Sequence, residues 1–191
     1  MTELTLDLSP TIKLTPEQFY QICQQNRDLR FEQTATGEII IMPPTGWETG
    51  NRNGRLTQRL CNWADADGTG IAFDSSTGFI LPNGATRSPD ASWVKRDRLV
   101  ALNPDPDKFL RLVPDFVAEL RSATDSLTKL RQKMTEYINN GVCLGWLIDP
   151  QNQQVEIYRP QAEVEIKRSP TNVSGEDVLP GFLLDLRQIL H

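Results

Sequence analysis

From Val113 to Pro150 the chain reads VPDFVAELRSATDSLTKLRQKMTEYINNGVCLGWLIDP, a run of strand character leading into one helix and then into a second strand. The run Pro114 to Leu120 is short and mostly apolar, with Phe116 and Val117 as strand formers. Its apolar residues fall on both parities, the pattern of a strand covered on both faces. Glu119 is therefore in a costly place, because a carboxylate buried without a cation, a proton or a hydrogen bond is strongly disfavoured or forced neutral. In the helix that follows, Thr124 or Asp125 can cap the start. Leu127, Leu130, Met134, Tyr137 and Ile138 then recur at three- and four-residue spacing down to a stop at Asn140-Gly141. Lys133 flanks that stripe. It is either a solvated helix lysine or one whose stem lies along the apolar surface and carries its ammonium toward the end of the neighbouring strand.

A chain of 191 residues is about one domain and can bury a real core, and 38% hydrophobic with 24% charged residues is ordinary for such a domain. Residues 1 to 11 read as an extended N-terminal arm and residues 12 to 191 as the domain. No apolar run approaches membrane-spanning length, and Met1 to Pro10 lacks the basic start and apolar centre of a signal peptide, so a cytoplasmic location is expected and no membrane partner. Cys23, Cys61 and Cys143 are widely spaced and form no CxxC, which indicates neither a disulfide framework nor a zinc site. The sole histidine, His191, stands at the C-terminus. Histidine triads, HExxH zinc chemistry and a phosphohistidine nucleophile are thereby set aside. Any catalysis must come from carboxylates, lysine or arginine, with or without a metal held by oxygen ligands. The net charge of -5 lowers the expectation of a protein that only binds DNA, though acidic metal sites coexist with local basic patches.

In chain order, Thr15-Pro16-Glu17 opens a first helix that ends at Asn26 to Asp28. Leu29 to Gln33 and Glu38 to Met42 read as a hairpin across Ala35-Thr36-Gly37, with Glu32 in its first strand. A second helix starts between Thr45 and Thr49 and runs through Leu56, Leu60 and Trp63 to Asp65-Ala66-Asp67-Gly68. Glu48 would sit in its first turn, where the helix dipole favours a carboxylate whatever its role. Strands over Gly70 to Phe73 and Thr77 to Leu81 lead to the turn Pro82-Asn83-Gly84 and a return strand from Ala85 to Val94. Pro89 cannot donate to a ladder, so that strand is at an edge or irregular there. Asp90 is then either a turn aspartate or a side chain aimed apart from its neighbours. Lys95 to Lys108 reads as a charged, proline-broken connection. Leu144 to Ile148 and Gln154 to Tyr158 form a hairpin, Glu163 to Lys167 an edge strand, and Leu184 to Leu190 a docking helix.

Ser88-Pro89-Asp90, then Glu119 twenty-nine residues after Asp90 in a strand, then Lys133 in the following helix, resembles the PD-(D/E)xK nuclease superfamily. The segments TGFILPNGATRSPDASWV, PDFVAELRSATDSLTKLRQKMTEYINNGVCLGWLIDP, VEIYRP and LPGFLLDL are similar to the Uma family of restriction endonucleases, abundant in cyanobacteria, and the likeness runs from about Thr15 to Leu190. The resemblance implies a restriction-endonuclease-like α/β (α+β) fold, a mixed sheet flanked by helices. It implies Asp90 and Glu119 as ligands of Mg²⁺ or Mn²⁺, with the Leu120 carbonyl as a third ligand, and hydrolysis of a phosphodiester bond in nucleic acid, DNA being expected. The short Glu-x-Lys pattern here reads Glu119-Leu120-Arg121. The catalytic ammonium is accordingly assigned to Lys133, with Lys129 as fallback and Arg121 as a phosphate or carboxylate partner on the strand face of Glu119. Glu32 and Glu48 are further candidate acids for the metal. Gln132 and Tyr137 are expected to pack or hydrogen-bond, and the segments around Trp47, Asn51 to Arg55 and Lys95 to Arg98 to border the substrate as loops. A homodimer is the expected assembly, since paired sites cut both strands most simply. The alternative reading is a catalytically weak nuclease-like module acting in nucleic-acid binding or protein assembly, motivated by the acidic balance and the missing Glu-x-Lys lysine.

Overall fold

The computed structural model describes residues 3–9 and 11–190; His191 and the start of the expected arm lie outside them. The first strand, β1 (Leu4–Leu6), precedes α1 (Pro16–Gln25), whose start follows from its capping box: the Thr15 side chain accepts from the Gln18 N–H while the Gln18 side chain accepts from the Thr15 N–H. The hairpin of β2 (Arg30–Gln33) and β3 (Ile39–Met42) forms as expected, and β1 pairs with β3, so residues 4–6 of the arm are part of a sheet. Then come α2 (Trp47–Asp67), β4 (Gly70–Asp74), β5 (Phe79–Ile80), β6 (Thr86–Arg87), β7 (Ala91–Lys95), α3 (Arg96–Leu102) and β8 (Phe116–Leu120). The remainder is α4 (Leu127–Asn139), β9 (Leu144–Asp149), β10 (Gln154–Tyr158), β11 (Glu165–Arg168), β12 (Asn172–Ser174) and β13 (Leu183–Asp185).

Two larger sheets organise these elements. One runs β1-β3-β2-β6-β5 and the other β11-β10-β9-β8-β7-β4, with β12 and β13 a separate antiparallel pair. In the six-stranded sheet β8 and β9 are parallel, joined by α4 as the crossover that parallel neighbours require, and the other pairs are antiparallel. All five residues of β8 are buried, as its two-sided apolar pattern predicts. Phe116, Ala118 and Leu120 pack with Leu56, Leu60 and Ala64 of α2, while Val117 packs on the opposite face with Met134 and Tyr137 of α4. Glu119 shares the parity of Val117 and so faces α4. The helix comes very close to the sheet at Gly145, where a Cβ would lie 2.5 Å from Met134 Cε.

Four local expectations are corrected. Ala85 to Val94 is not one strand: β6 belongs to the five-stranded sheet and β7 to the six-stranded one, and Ser88-Pro89-Asp90 crosses between them. The connection from Lys95 to Lys108 begins with α3, which buries Leu99 against the core. Ser126, not Thr124 or Asp125, caps α4 by accepting from the Lys129 N–H; Asp125 accepts from the Ser122 N–H at 2.7 Å instead. The C-terminal segment is β13 and a closing turn, not a helix. Leu184 and Leu186 are both wholly buried at strand spacing, and the Leu190 N–H donates to the Leu186 carbonyl at 2.8 Å in the turn.

Candidate active site

The crossing at Pro89 makes the first half of the site. Carrying the β7–β8 register on from Ala91↔Ala118 by two residues sets Pro89 opposite Leu120, and proline has no N–H to continue the ladder. Asp90 fills the gap: its Oδ2 accepts from the Leu120 N–H at 2.8 Å. The two backbone groups of one strand residue point to the same edge, so the Leu120 carbonyl opens on the side of Asp90. The next N–H, that of Arg121, turns to the other edge and donates to the Ile148 carbonyl at 2.9 Å. Asp90 Oδ1 accepts from Asn53 Nδ2 of α2 at 2.7 Å. Each oxygen of Asp90 thus has one donor and keeps further acceptor capacity.

The second half comes from α4. Lys133 and Tyr137 stand one turn apart and both reach the same oxygen, Glu119 Oε1, at 2.9 Å each. Lys133 Nζ also lies 2.8 Å from Glu32 Oε1, and its side chain is only 14% exposed, so it is a buried cation shared by two carboxylates. Glu32 Oε1 accepts in addition from the Ser88 N–H at 2.9 Å, and Oε2 from Arg87 at 3.1 Å. Arg87 in turn donates from Nε to Glu136 at 2.6 Å, and Asn83 to the other Glu136 oxygen at 2.9 Å.

Burial and charge oppose one another throughout this cluster. Burial pushes the Glu119 carboxyl up, and the neighbouring Asp90 and Glu32 carboxylates add to the shift against the pull of Lys133, leaving it at about 7. Burial also raises Asp90, against the hydrogen bonds from Asn53 and Leu120. For Glu32 burial is outweighed by Lys133 and Arg87, and its carboxyl is held below the usual range. Burial alone would lower Lys133, but the Glu119 and Glu32 carboxylates outweigh it and hold the ammonium firmly protonated. Tyr137 is pushed well up by burial and then by the same two acids, so its hydroxyl stays protonated and donates to Glu119.

The structure therefore brings Asp90, Glu119, the Leu120 backbone, Lys133 and Glu32 together. It does not bring in Arg121 or Glu48. Strand β8 ends at Leu120, and the Arg121 side chain turns to the wholly buried Asp149 at 3.1 Å and to the Asp125 carbonyl at 3.3 Å. Glu48 is 60% exposed and paired with Arg52 at 2.8 Å on α2. Lys129 reaches Glu3 at 2.5 Å, away from the acids, and Gln132 lines an open groove with Asn83 and Glu136. Trp47 and Asn51 to Arg55 lie on α2 rather than in a loop, with Trp47 86% exposed. Sequence reading took in Asn53 only within the substrate-bordering segment Asn51 to Arg55, and missed Arg87 and Glu136. One signal was present: Asn53 stands three residues before Leu56 and seven before Leu60, at a place where the buried stripe of α2 calls for a hydrophobe.

The family model described as "Putative restriction endonuclease", Uma2, matches residues 16–187. A comparison with curated proteins returned no match. Among solved structures the chain is similar to one described as "a putative nuclease belonging to DUF820" from Anabaena variabilis ATCC 29413, with a TM-score of 0.74 and 21% identity over 93% of this chain and 97% of that one, a likeness of fold. With the family match spanning most of its length and the fold shared, the chain belongs to the Uma2 family.

Proposed function

We propose that the chain is a metal-dependent endonuclease that hydrolyses phosphodiester bonds of DNA. The observation that carries this reading is the convergence of Asp90, Glu119 and a buried, protonated Lys133 around the Leu120 carbonyl edge that Pro89 leaves without a ladder partner. The donor set suits a hard cation. Two carboxylates and a carbonyl are what Mg²⁺ or Mn²⁺ takes while keeping several waters. Among the described residues no group of three or more His, Cys, Asp or Glu side chains is placed to hold a metal ion, so an ion here would rest on two carboxylates, the carbonyl and its own waters. With all four acids ionised, Asp90, Glu119, Glu32 and Glu136 exceed Lys133 and Arg87 by two negative charges, the deficit that a divalent ion offsets.

Asp90, Glu119 and the Leu120 carbonyl would hold the ion, which when bound polarises the scissile phosphate and acidifies an attacking water. Lys133 supplies a fixed positive charge. Held protonated by its two acids, it donates hydrogen bonds that orient the water and offset charge gathering on the phosphoryl oxygens, and it does not serve as the base. The water oxygen forms a bond to phosphorus, one phosphorus–oxygen ester bond breaks, the water proton leaves to solvent, and the departing oxygen takes up a proton. Glu32 has both oxygens taken by Lys133, Ser88 and Arg87, so we assign it to holding Lys133 rather than the ion.

The test is cleavage of supercoiled plasmid, single-stranded DNA and RNA with Mg²⁺ or Mn²⁺ by wild type, Asp90→Ala and Lys133→Ala. Plasmid nicking lost in both folded variants is expected. Undiminished cleavage in Asp90→Ala would overturn the assignment, and cleavage confined to RNA would keep the chemistry and change the substrate.

A further inference from the structure

Asn53 Nδ2 donates to Asp90 Oδ1 at 2.7 Å, and because an ionised carboxylate only accepts, this bond fixes which way the amide points. Its Oδ1 is consequently turned away from that carboxylate. The atom is buried and has no hydrogen-bond partner among the described residues. Native interiors seldom leave an amide oxygen without a donor unless a water, ion or ligand completes it. The other three such atoms, Ser92 Oγ, Trp93 Nε1 and Trp146 Nε1, belong to the strands β7 and β9. Asn53 is the one of the four bonded directly to an acid of the site. A hydrophobe at this position would complete the stripe of Leu56 and Leu60, so the polar side chain is retained against the packing preference of its own helix.

We propose that Asn53 Oδ1 belongs to the cation site, accepting a hydrogen bond from a water in the ion's hydration shell while Nδ2 holds Asp90. Asn53 is then a positioning residue for both the carboxylate and the shell. This rests on the metal-dependent reading above. A neutral amide fits the role better than a carboxylate would: the cluster already carries two excess negative charges, and a hydrated Mg²⁺ needs acceptors for its waters as much as direct ligands.

The experiment is calorimetric titration with Mg²⁺ and with Mn²⁺, joined to thermal unfolding with and without the ion, on wild type, Asn53→Leu, Asn53→Asp and Asp90→Asn. Asn53→Leu continues the buried stripe and is expected to fold, but to bind the ion about tenfold to a hundredfold more weakly, as loss of an outer partner does. Asn53→Asp is expected to unfold at a lower temperature without ion, because it sets a second carboxylate against Asp90. It also loses the Nδ2 donor to Asp90 and is expected to bind the ion no more tightly than wild type. Wild type that takes up neither ion would overturn the metal-dependent reading itself. Wild type that binds, with Asp90→Asn weakened but Asn53→Leu at wild-type affinity, would overturn this inference alone.

Discussion

Replacing Glu119 with Gln tests the electrostatics of the cluster when unfolding is followed without any ion. Below pH 4.5, the ordinary value of the group, Glu119 is protonated in both folded and unfolded chains. As pH rises the unfolded chain releases that proton first, while the folded chain keeps it to about 7. The folded state therefore binds the extra proton across this window. The stabilisation that Glu119 contributes is full below pH 4.5 and lost as pH rises through about 7. At 1.36 kcal/mol per pH unit the window is worth up to about 3 kcal/mol. Glutamine has no proton to lose. The stability of Glu119→Gln minus that of wild type should thus rise by up to about 3 kcal/mol between pH 4.5 and pH 7.5. Urea unfolding of both proteins at half-unit intervals in EDTA measures it, and taking the difference cancels the other titrating groups. A difference that stays flat, or falls, would refute the reasoning. It would mean that Lys133 outweighs the burial and the two neighbouring acids, and that Glu119 is ionised throughout.

Lys133→Met should cost about 3–5 kcal/mol in urea unfolding at pH 8, the penalty of leaving buried acids without their cation, and should abolish cleavage. Cleavage by wild type at subsaturating Mg²⁺ should rise with pH through about 7, because Glu119 must shed its proton to hold the ion; a pH–rate profile independent of pH from 5 to 8 would contradict this. Arg121→Ala should lower stability by about 1–3 kcal/mol, since Asp149 loses its cation, yet cut plasmid at the wild-type rate. Glu48→Ala should leave Mg²⁺ affinity unchanged in calorimetry, its carboxylate being exposed and paired on the helix surface. Light scattering of the purified protein should report a homodimer, and a monomer at high concentration would remove the paired-site arrangement.

Glu119 stood out because it breaks a local rule; Asp90 and Lys133 were left open by local pattern and joined to it through the family resemblance. Glu119 is a charge in a strand buried on both faces, Asp90 follows a proline in a strand, and Lys133 adjoins the apolar stripe of its helix. Arg121 does pair with a carboxylate, but the face it takes was misread for an equally local reason. Two-residue spacing would put it on the face of Glu119 only if the strand continued, and β8 stops one residue earlier, where the buried Asp149 takes the guanidinium. That Glu32, named only as a candidate acid for the metal, would pair with Lys133 could not be read: it is 101 residues away in sequence and belongs to the other sheet.

By itself the sequence determined what short-range periodicity and steric rules can encode: the capping of α1, the strand–helix–strand unit around Glu119, the break at Pro89, and a chemistry built without histidine. Only the tertiary structure decided that Ser88-Pro89-Asp90 passes from one sheet to the other, and that Lys133 and Arg87 both close on Glu32. It also decided that Asn53 of α2 reaches Asp90. The physical reason is that ionisation and hydrogen bonding inside a low-dielectric cluster depend on every charge within a few ångströms, whatever its place in the chain. Local pattern specifies which side chains face inward; which of them meet is set by how the sheets and helices pack.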